Sequence, residues 1–260
     1  MLIDIHSHLD HCYFEDDLDK VIENAKKANV KVILTAGTNP EKNKESLKIT
    51  KKYDIVKPCL GIHPIQYNDN KELNNQKKNK GTKINIDEEI EFIGKNKKDI
   101  IAIGEVGLDY FWSKNNVNEQ EKLFQKMICL AEKINKPIIV HSRKAEQDCI
   151  EMLQSSKLKK IIMHCFTGKK SLVKRIVDNG WFLTAPTCIV RSLQFQENAK
   201  LTTITQLFCE TDAPYLTPFK NKRNEPSFVV DAYKKVAEIK GMEFEEVVKN
   251  IWMNFQKVFG

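Results

Sequence analysis

Pro137-Ile138-Ile139-Val140-His141 is a short apolar run opened by a proline and closed by a histidine. An unbroken row of such residues suits a strand covered on both faces, as in a parallel sheet with helices outside it. Seven more runs of similar kind punctuate the chain, at residues 2–6, 30–36, 56–62, 100–105, 161–164, 181–185 and 207–212. Between them apolar residues recur at helical spacing: Leu18, Val21, Ile22 and Ala25, then Leu123, Phe124, Met127, Ala131 and Ile134. The last such stripe is Phe244, Val247, Val248, Ile251, Trp252, Phe255 and Val258. Strand and helix in alternation imply parallel crossovers, and eight strands favour closure into an α/β fold, the (β/α)8 TIM barrel. The chain has 260 residues, close to the about 250 usual for that architecture, so 1–260 is read as one domain. The helical pattern is poorest over 186–205, where a loop is expected.

With 41% hydrophobic and 30% charged residues the composition is that of a globular protein. No stretch approaches about 18 consecutive apolar residues, so no membrane span is expected. Met1-Leu2-Ile3-Asp4-Ile5-His6 has no basic region leading into a long apolar one, which sets the expectation of no signal peptide and a cytoplasmic location. The seven cysteines are scattered singly without a Cys-x-x-Cys pair, and read as buried, reduced thiols. The net charge of +7 permits a polyanionic substrate without requiring one. Residues 68–85 break the strand–helix rhythm with Asn and Lys, including Lys77, Lys78, Lys80 and Lys83, and read as a flexible, solvated loop. The loop follows a strand and so lies on the barrel's active face. It holds no aromatic residue, which argues against a base-stacking platform within it.

Five of the six histidines fall at expected strand ends. His6 and His8 are separated by one residue and so share a face of the first strand. His63 follows the third strand, His141 ends the fifth and His164 the sixth. Glu105 ends the fourth strand and Asp212 the eighth. A carboxylate in a barrel mouth is costly unless paired, hydrogen-bonded or bound to a cation. Strand ends of a barrel meet on its carboxyl-terminal rim, where active sites of this fold lie. Imidazoles and carboxylates gathered there suit zinc, manganese or related divalent ions.

Read in order, Asp4-Ile5-His6-Ser7-His8-Leu9-Asp10, Gly61-Ile62-His63-Pro64, Gly104-Glu105-Val106-Gly107-Leu108-Asp109-Tyr110, His141-Ser142-Arg143, His164-Cys165-Phe166-Thr167-Gly168, Glu210-Thr211-Asp212-Ala213-Pro214-Tyr215-Leu216 and Asn224-Glu225-Pro226 resemble the TatD family of metal-dependent deoxyribonucleases, in the amidohydrolase-like group of barrels. The resemblance spans nearly the whole chain. It implies two divalent metal ions (Zn2+, Mn2+ or Mg2+), one held by His6, His8 and Asp212, the other by His141 and His164, with Glu105 bridging. It places His63 and Arg143 on the substrate side as phosphate contacts. Two metals about 3.5–4 Å apart lower the pKa of a bound water and neutralise phosphate charge. Asp212 would both ligate a metal and accept the water's proton, and Glu105 would fix the metal spacing. The implied activity is 3′–5′ exonuclease action on single-stranded DNA, with no obligate protein partner. Two features depart from the family pattern: the Lys/Asn-rich insertion, and Ala185-Pro186-Thr187-Cys188 in place of a Ser- and Gly-containing turn.

Other reactions stay open on the same barrel, since fold does not set function. One is hydrolysis of D-aminoacyl-tRNA esters, and another is hydrolysis of other esters or amides. Many amide-cleaving relatives bridge their metals with a modified lysine at the fourth strand, where this chain has Glu105. A third reading, an inactive protein binding nucleic acid through its basic surface, is disfavoured because every expected ligand position is occupied.

Overall fold

A computed structural model describes residues 1–67 and 84–260. Each of the eight expected runs forms a strand: β1 Leu2–Ser7, β2 Val30–Ala36, β3 Val56–Leu60, β4 Ala102–Asp109, β5 Ile138–Arg143, β6 Ile161–Met163, β7 Phe182–Pro186 and β8 Leu207–Glu210. They form one parallel sheet in the order β1 to β8. Almost every strand residue is buried, the condition inferred from the unbroken apolar runs. The exceptions are charged: Lys31, Lys57 and the partly exposed rim pair His141 and Arg143.

The sheet closes on itself where β1 meets the segment just beyond β8. The Asp212 amide donates to the His6 carbonyl at 2.8 Å, and the His8 amide to the Ala213 carbonyl at 2.7 Å. Deeper in the seam the buried Asp4 carboxylate accepts from the Thr211 amide at 2.8 Å and from its hydroxyl at 2.5 Å. The Tyr233 hydroxyl, from the helical layer, pairs with both the amide and the carbonyl of Ile3, each at 3.1 Å. Side chains thus satisfy backbone groups that a neighbouring strand would otherwise serve.

The helices form the outer layer: α1 Leu18–Lys27, α2 Pro40–Lys52, α3 Ile86–Lys95, α4 Val117–Ile134, α5 Glu146–Gln154, α6 Lys170–Asp178, α7 Leu193–Leu201, α8 Val229–Lys240 and α9 Phe244–Phe259. Their ends follow local chemistry. Asn39 caps α2 by accepting from the Lys42 amide at 2.9 Å, with Pro40 in the first turn. Glu243 and Glu246 form a reciprocal capping box on α9. Gly241 ends α8 with φ 60°.

Three expectations need correcting. The segment 186–205 is not a loop throughout: after a turn of 3-10 helix at Thr187–Val190 it forms α7. Its buried face includes Asn198, whose side-chain amide donates to the Phe166 carbonyl at 2.6 Å, so a satisfied polar residue hides the apolar period. The fourth strand runs past Glu105 to Asp109, so Glu105 lies within the strand. Gly107 permits this close pairing: its φ is +142°, and a Cβ there would sit 2.0 Å from the His141 carbonyl oxygen. The cysteines are all free, but Cys12 and Cys129 are exposed. The expected loop at 68–85 lies outside the described residues, save Ile84 and Asn85, and Asn85 caps α3. Among the described residues no helix is long and apolar enough to cross a membrane.

Candidate metal centre

Glu105 stands at the middle of the barrel mouth, 3% exposed, and its two oxygens face different histidines. Oε2 lies 3.5 Å from His6 Nε2 and 3.4 Å from His8 Nε2. Oε1 lies 2.9 Å from His141 Nδ1, 3.1 Å from His164 Nε2 and 3.5 Å from His63 Nε2. Asp212 approaches the first set, with Oδ1 3.4 Å from His8 Nε2 and 3.7 Å from His6 Nε2. Three groups of side chains therefore offer ligand atoms within 4.8 Å of one another: His6, His8 and Glu105; His6, His164 and Asp212; His63, Glu105 and His141. All the residues named from sequence converge here except Arg143. Its guanidinium lies over the Phe111 ring, 4.2 Å from the centroid.

Strand geometry explains the convergence. His6 and His8 alternate on one face of β1 as that strand runs into its loop. Asp212 and Cys165 both adopt the left-handed region, with φ of 54° and 43°. Such backbone is sparsely populated by residues other than glycine and gathers at functional sites. At Asp212 it turns the chain as it leaves β8, and at Cys165 as it leaves His164.

The hydrogen bonds on the far side of each imidazole decide which nitrogen faces inward as a lone pair. His8 Nδ1 meets the Ala36 carbonyl at 3.0 Å. His141 Nε2 meets Asp109 Oδ2 at 2.9 Å, and His164 Nδ1 meets Glu210 Oε2 at 3.2 Å. A carbonyl or carboxylate can only accept, so in the neutral rings those outer nitrogens carry the proton. The inner nitrogens of all three are then free to ligate, the outer-acceptor arrangement common to metal-binding histidines. His63 is built the other way. Its Nδ1 accepts from the Ile65 amide at 3.2 Å, so in the neutral ring the proton sits on Nε2, facing Glu105. That makes His63 an inward hydrogen-bond donor. The position lies in the cluster, but the tautomer is not a ligand's.

Charge in the cluster is strongly coupled. Burial pushes the Glu105 carboxyl up, but His63, His164 and His141 outweigh it and hold the group well below the usual carboxylate range. Burial likewise raises Asp212, and its bond to His8 with the nearby imidazoles brings it below normal. Burial lowers His8, yet Asp212 and Glu105 lift it to about 9. Burial, with His164 alongside, lowers His6. Both His6 ring nitrogens are buried without a hydrogen-bond partner, and the ring stacks on His164 at 3.9 Å. An orphaned buried imidazole is costly by itself. Beside two ionised carboxylates it suits a divalent cation, and the mixed nitrogen and oxygen donors suit zinc or manganese. The residues fit the metal centre expected of them.

Two carboxylates matter here that the sequence reading left without a role. Asp109 anchors His141, while its Oδ1 accepts the amides of Phe111 at 2.9 Å and Trp112 at 2.8 Å. Glu210 anchors His164 and also accepts from the Thr184 hydroxyl at 2.6 Å and the Cys165 amide at 3.0 Å. In sequence they stood only as further carboxylates within the same motifs, Asp109 four residues after Glu105 and Glu210 two before Asp212.

Comparison with known proteins places the chain in context. The family model described as TatD related DNase matches residues 3–260. The human protein named deoxyribonuclease TATDN3 is 34% identical over 99% of this chain and 94% of its own. A Bacillus subtilis protein described as the uncharacterized metal-dependent hydrolase YabD is 32% identical, over 100% of this chain and 99% of its own. The crystal structure of YjjV, a TatD homolog from Escherichia coli, superposes with a TM-score of 0.86 at 23% identity, covering 99% of this chain and 97% of that one.

Proposed function

The chain belongs to the TatD-related family of metal-dependent deoxyribonucleases and hydrolases, and on that premise we propose that it removes nucleotides from the 3′ end of single-stranded DNA, with two divalent ions held in the barrel mouth. The observation that carries this reading is Glu105, whose two oxygens face two histidine sets. His6, His8 and Asp212 would hold one ion and His141 and His164 the other, with Glu105 positioned to serve both. When bound, such ions supply Lewis acidity toward a phosphodiester and lower the pKa of a bound water toward neutrality.

The chain's own residues supply the rest. Asp212 is ionised and 14% exposed at its side chain, so it reaches solvent at the cluster edge and accepts a proton at a carboxylate oxygen from the attacking water. His63 donates from Nε2 to a phosphate oxygen. Burial lowers its pKa, so the neutral donor form persists at neutral pH. Arg143, on the rim two residues beyond His141, offers a planar fork to an adjoining phosphate. Preference for DNA and for the 3′ end rests on the family resemblance.

The test is cleavage of an end-labelled single-stranded oligonucleotide with added Mn2+, Mg2+ or Zn2+, with chelator, and with Asp212→Asn. A ladder shortening from the 3′ end that requires both metal and Asp212 is the expected result. Full activity in Asp212→Asn would remove it as the base. A folded, metal-loaded protein that leaves DNA intact but deacylates charged transfer RNA would move the assignment to ester hydrolysis.

A further inference from the structure

Five aromatic side chains are largely exposed among the described residues: Tyr13, Phe111, Trp112, Tyr215 and Phe219. All five lie in segments that follow carboxyl ends of strands, Tyr13 after β1, Phe111 and Trp112 after β4, Tyr215 and Phe219 after β8. None projects from the helical layer. Exposed aromatic rings gathered in the segments around a site's mouth mark a binding surface.

Phe111 and Trp112 are the pair most firmly tied to the metal centre. They are 43% and 47% exposed, with rings edge to face at 4.9 Å. Both of their amides bond to Asp109 Oδ1, and the other oxygen of that carboxylate holds His141. One carboxylate therefore sets the distance between the rings and a ligand imidazole. The Arg143 guanidinium rests against both rings, 4.2 Å from the Phe111 centroid and 5.5 Å from that of Trp112. Among the described residues Arg143, which is exposed, makes no ion pair with a carboxylate. Beside Phe111 a shallow pocket is lined by Tyr110, Lys114, Val117 and Lys144, adding two cations to the same face.

We propose that Phe111 and Trp112 form a stacking platform for an unpaired nucleobase, with Arg143 taking the neighbouring phosphate, so that the enzyme selects single strands and frayed ends at this point. Rings anchored through Asp109 beside an exposed guanidinium match a nucleotide's two halves, a flat π face and an anionic link. A base within a duplex is already stacked and presents only its edge, so paired DNA gains nothing from the platform. The inference rests on the nucleic-acid reading above but concerns binding, and it can fail separately.

The experiment pairs binding with turnover. Oligothymidylate titrated into the metal-loaded protein under chilled, non-turnover conditions should quench tryptophan fluorescence, and Trp112→Phe should abolish the quench while retaining most of the affinity. Trp112→Ala should raise KM for a single-stranded oligonucleotide about tenfold with a smaller change in kcat. Alanine keeps the amide that Asp109 binds, so His141 stays in place. An oligonucleotide abasic at the terminal positions should bind the wild type about as weakly as the intact strand binds Trp112→Ala. An unaltered quench in Trp112→Phe together with an unaltered KM in Trp112→Ala would overturn the platform and leave the nuclease reading standing. A wild type that cleaves no DNA but shows the Trp112-dependent quench would do the reverse.

Discussion

Replacing Asp109 with Asn exchanges one oxygen for an amide and tests how far tautomer control governs the metal centre. Asp109 accepts three bonds, two from the Phe111 and Trp112 amides through Oδ1 and one from His141 Nε2 through Oδ2. Asn has a single accepting oxygen. Turning that oxygen to the two backbone amides preserves two bonds, whereas turning it to His141 faces an NH2 against two donors. Each unmatched buried donor costs about 1–3 kcal/mol, so the first orientation wins. In the neutral ring His141 then meets a donor at Nε2, carries its proton on Nδ1 and donates to Glu105 Oε1, which is already 2.9 Å away. The metal-free protein keeps these hydrogen bonds but loses the carboxylate that, with Glu105, holds the His141 pKa above its usual value against burial. The inward lone pair is lost, and metal affinity falls by about 10–100-fold, the usual cost of disturbing a ligand's outer partner. That corresponds to about 1.4–2.8 kcal/mol. Calorimetric titration of the metal-free protein with Zn2+ measures it directly, and melting without metal gives the control. Unchanged affinity in a variant that melts normally would refute the tautomer argument.

Further expectations follow from the same geometry. Saturating metal should raise the melting temperature, since a ligand at 100 times its Kd adds about 2.7 kcal/mol, and His6→Ala should shrink that shift. Metal uptake at pH 7 should release at least one proton, because Asp212 and Glu105 overcome burial to hold His8 protonated up to about 9. Affinity should therefore climb as pH rises from 7 toward 9, and titrations in buffers of different ionisation heat will count the protons. Tyr233→Phe removes the hydroxyl that serves both backbone groups of Ile3 at the barrel seam and should cost about 1–3 kcal/mol in urea unfolding. A change below about 0.5 kcal/mol would mean another group fills that role.

The architecture was legible because parallel strands covered on both faces favour short, mostly apolar runs, and eight such runs alternate with helical periods. Runs such as Ile138-Ile139-Val140 admit little else once helical periods separate them. The positions of His6, His8, Glu105, His141, His164 and Asp212 were legible for a related reason. A barrel brings strand ends to one rim, so placement along the chain became placement in space. The helix α7 was not, because Asn198 satisfies itself on a carbonyl that no sequence pattern reveals.

What only the tertiary structure decided is the identity of the partners behind the ligands. Asp109 and Glu210 look like any strand-end carboxylates in sequence, and they become anchors because packing brings them to the outer nitrogens of His141 and His164. His8 and His63 are both histidines after strands, yet one faces the Ala36 carbonyl and the other the Ile65 amide. Residue type and order determine that a nitrogen stands in the barrel mouth. Whether it offers a lone pair or a proton depends on the group behind it, and that group is supplied by the fold.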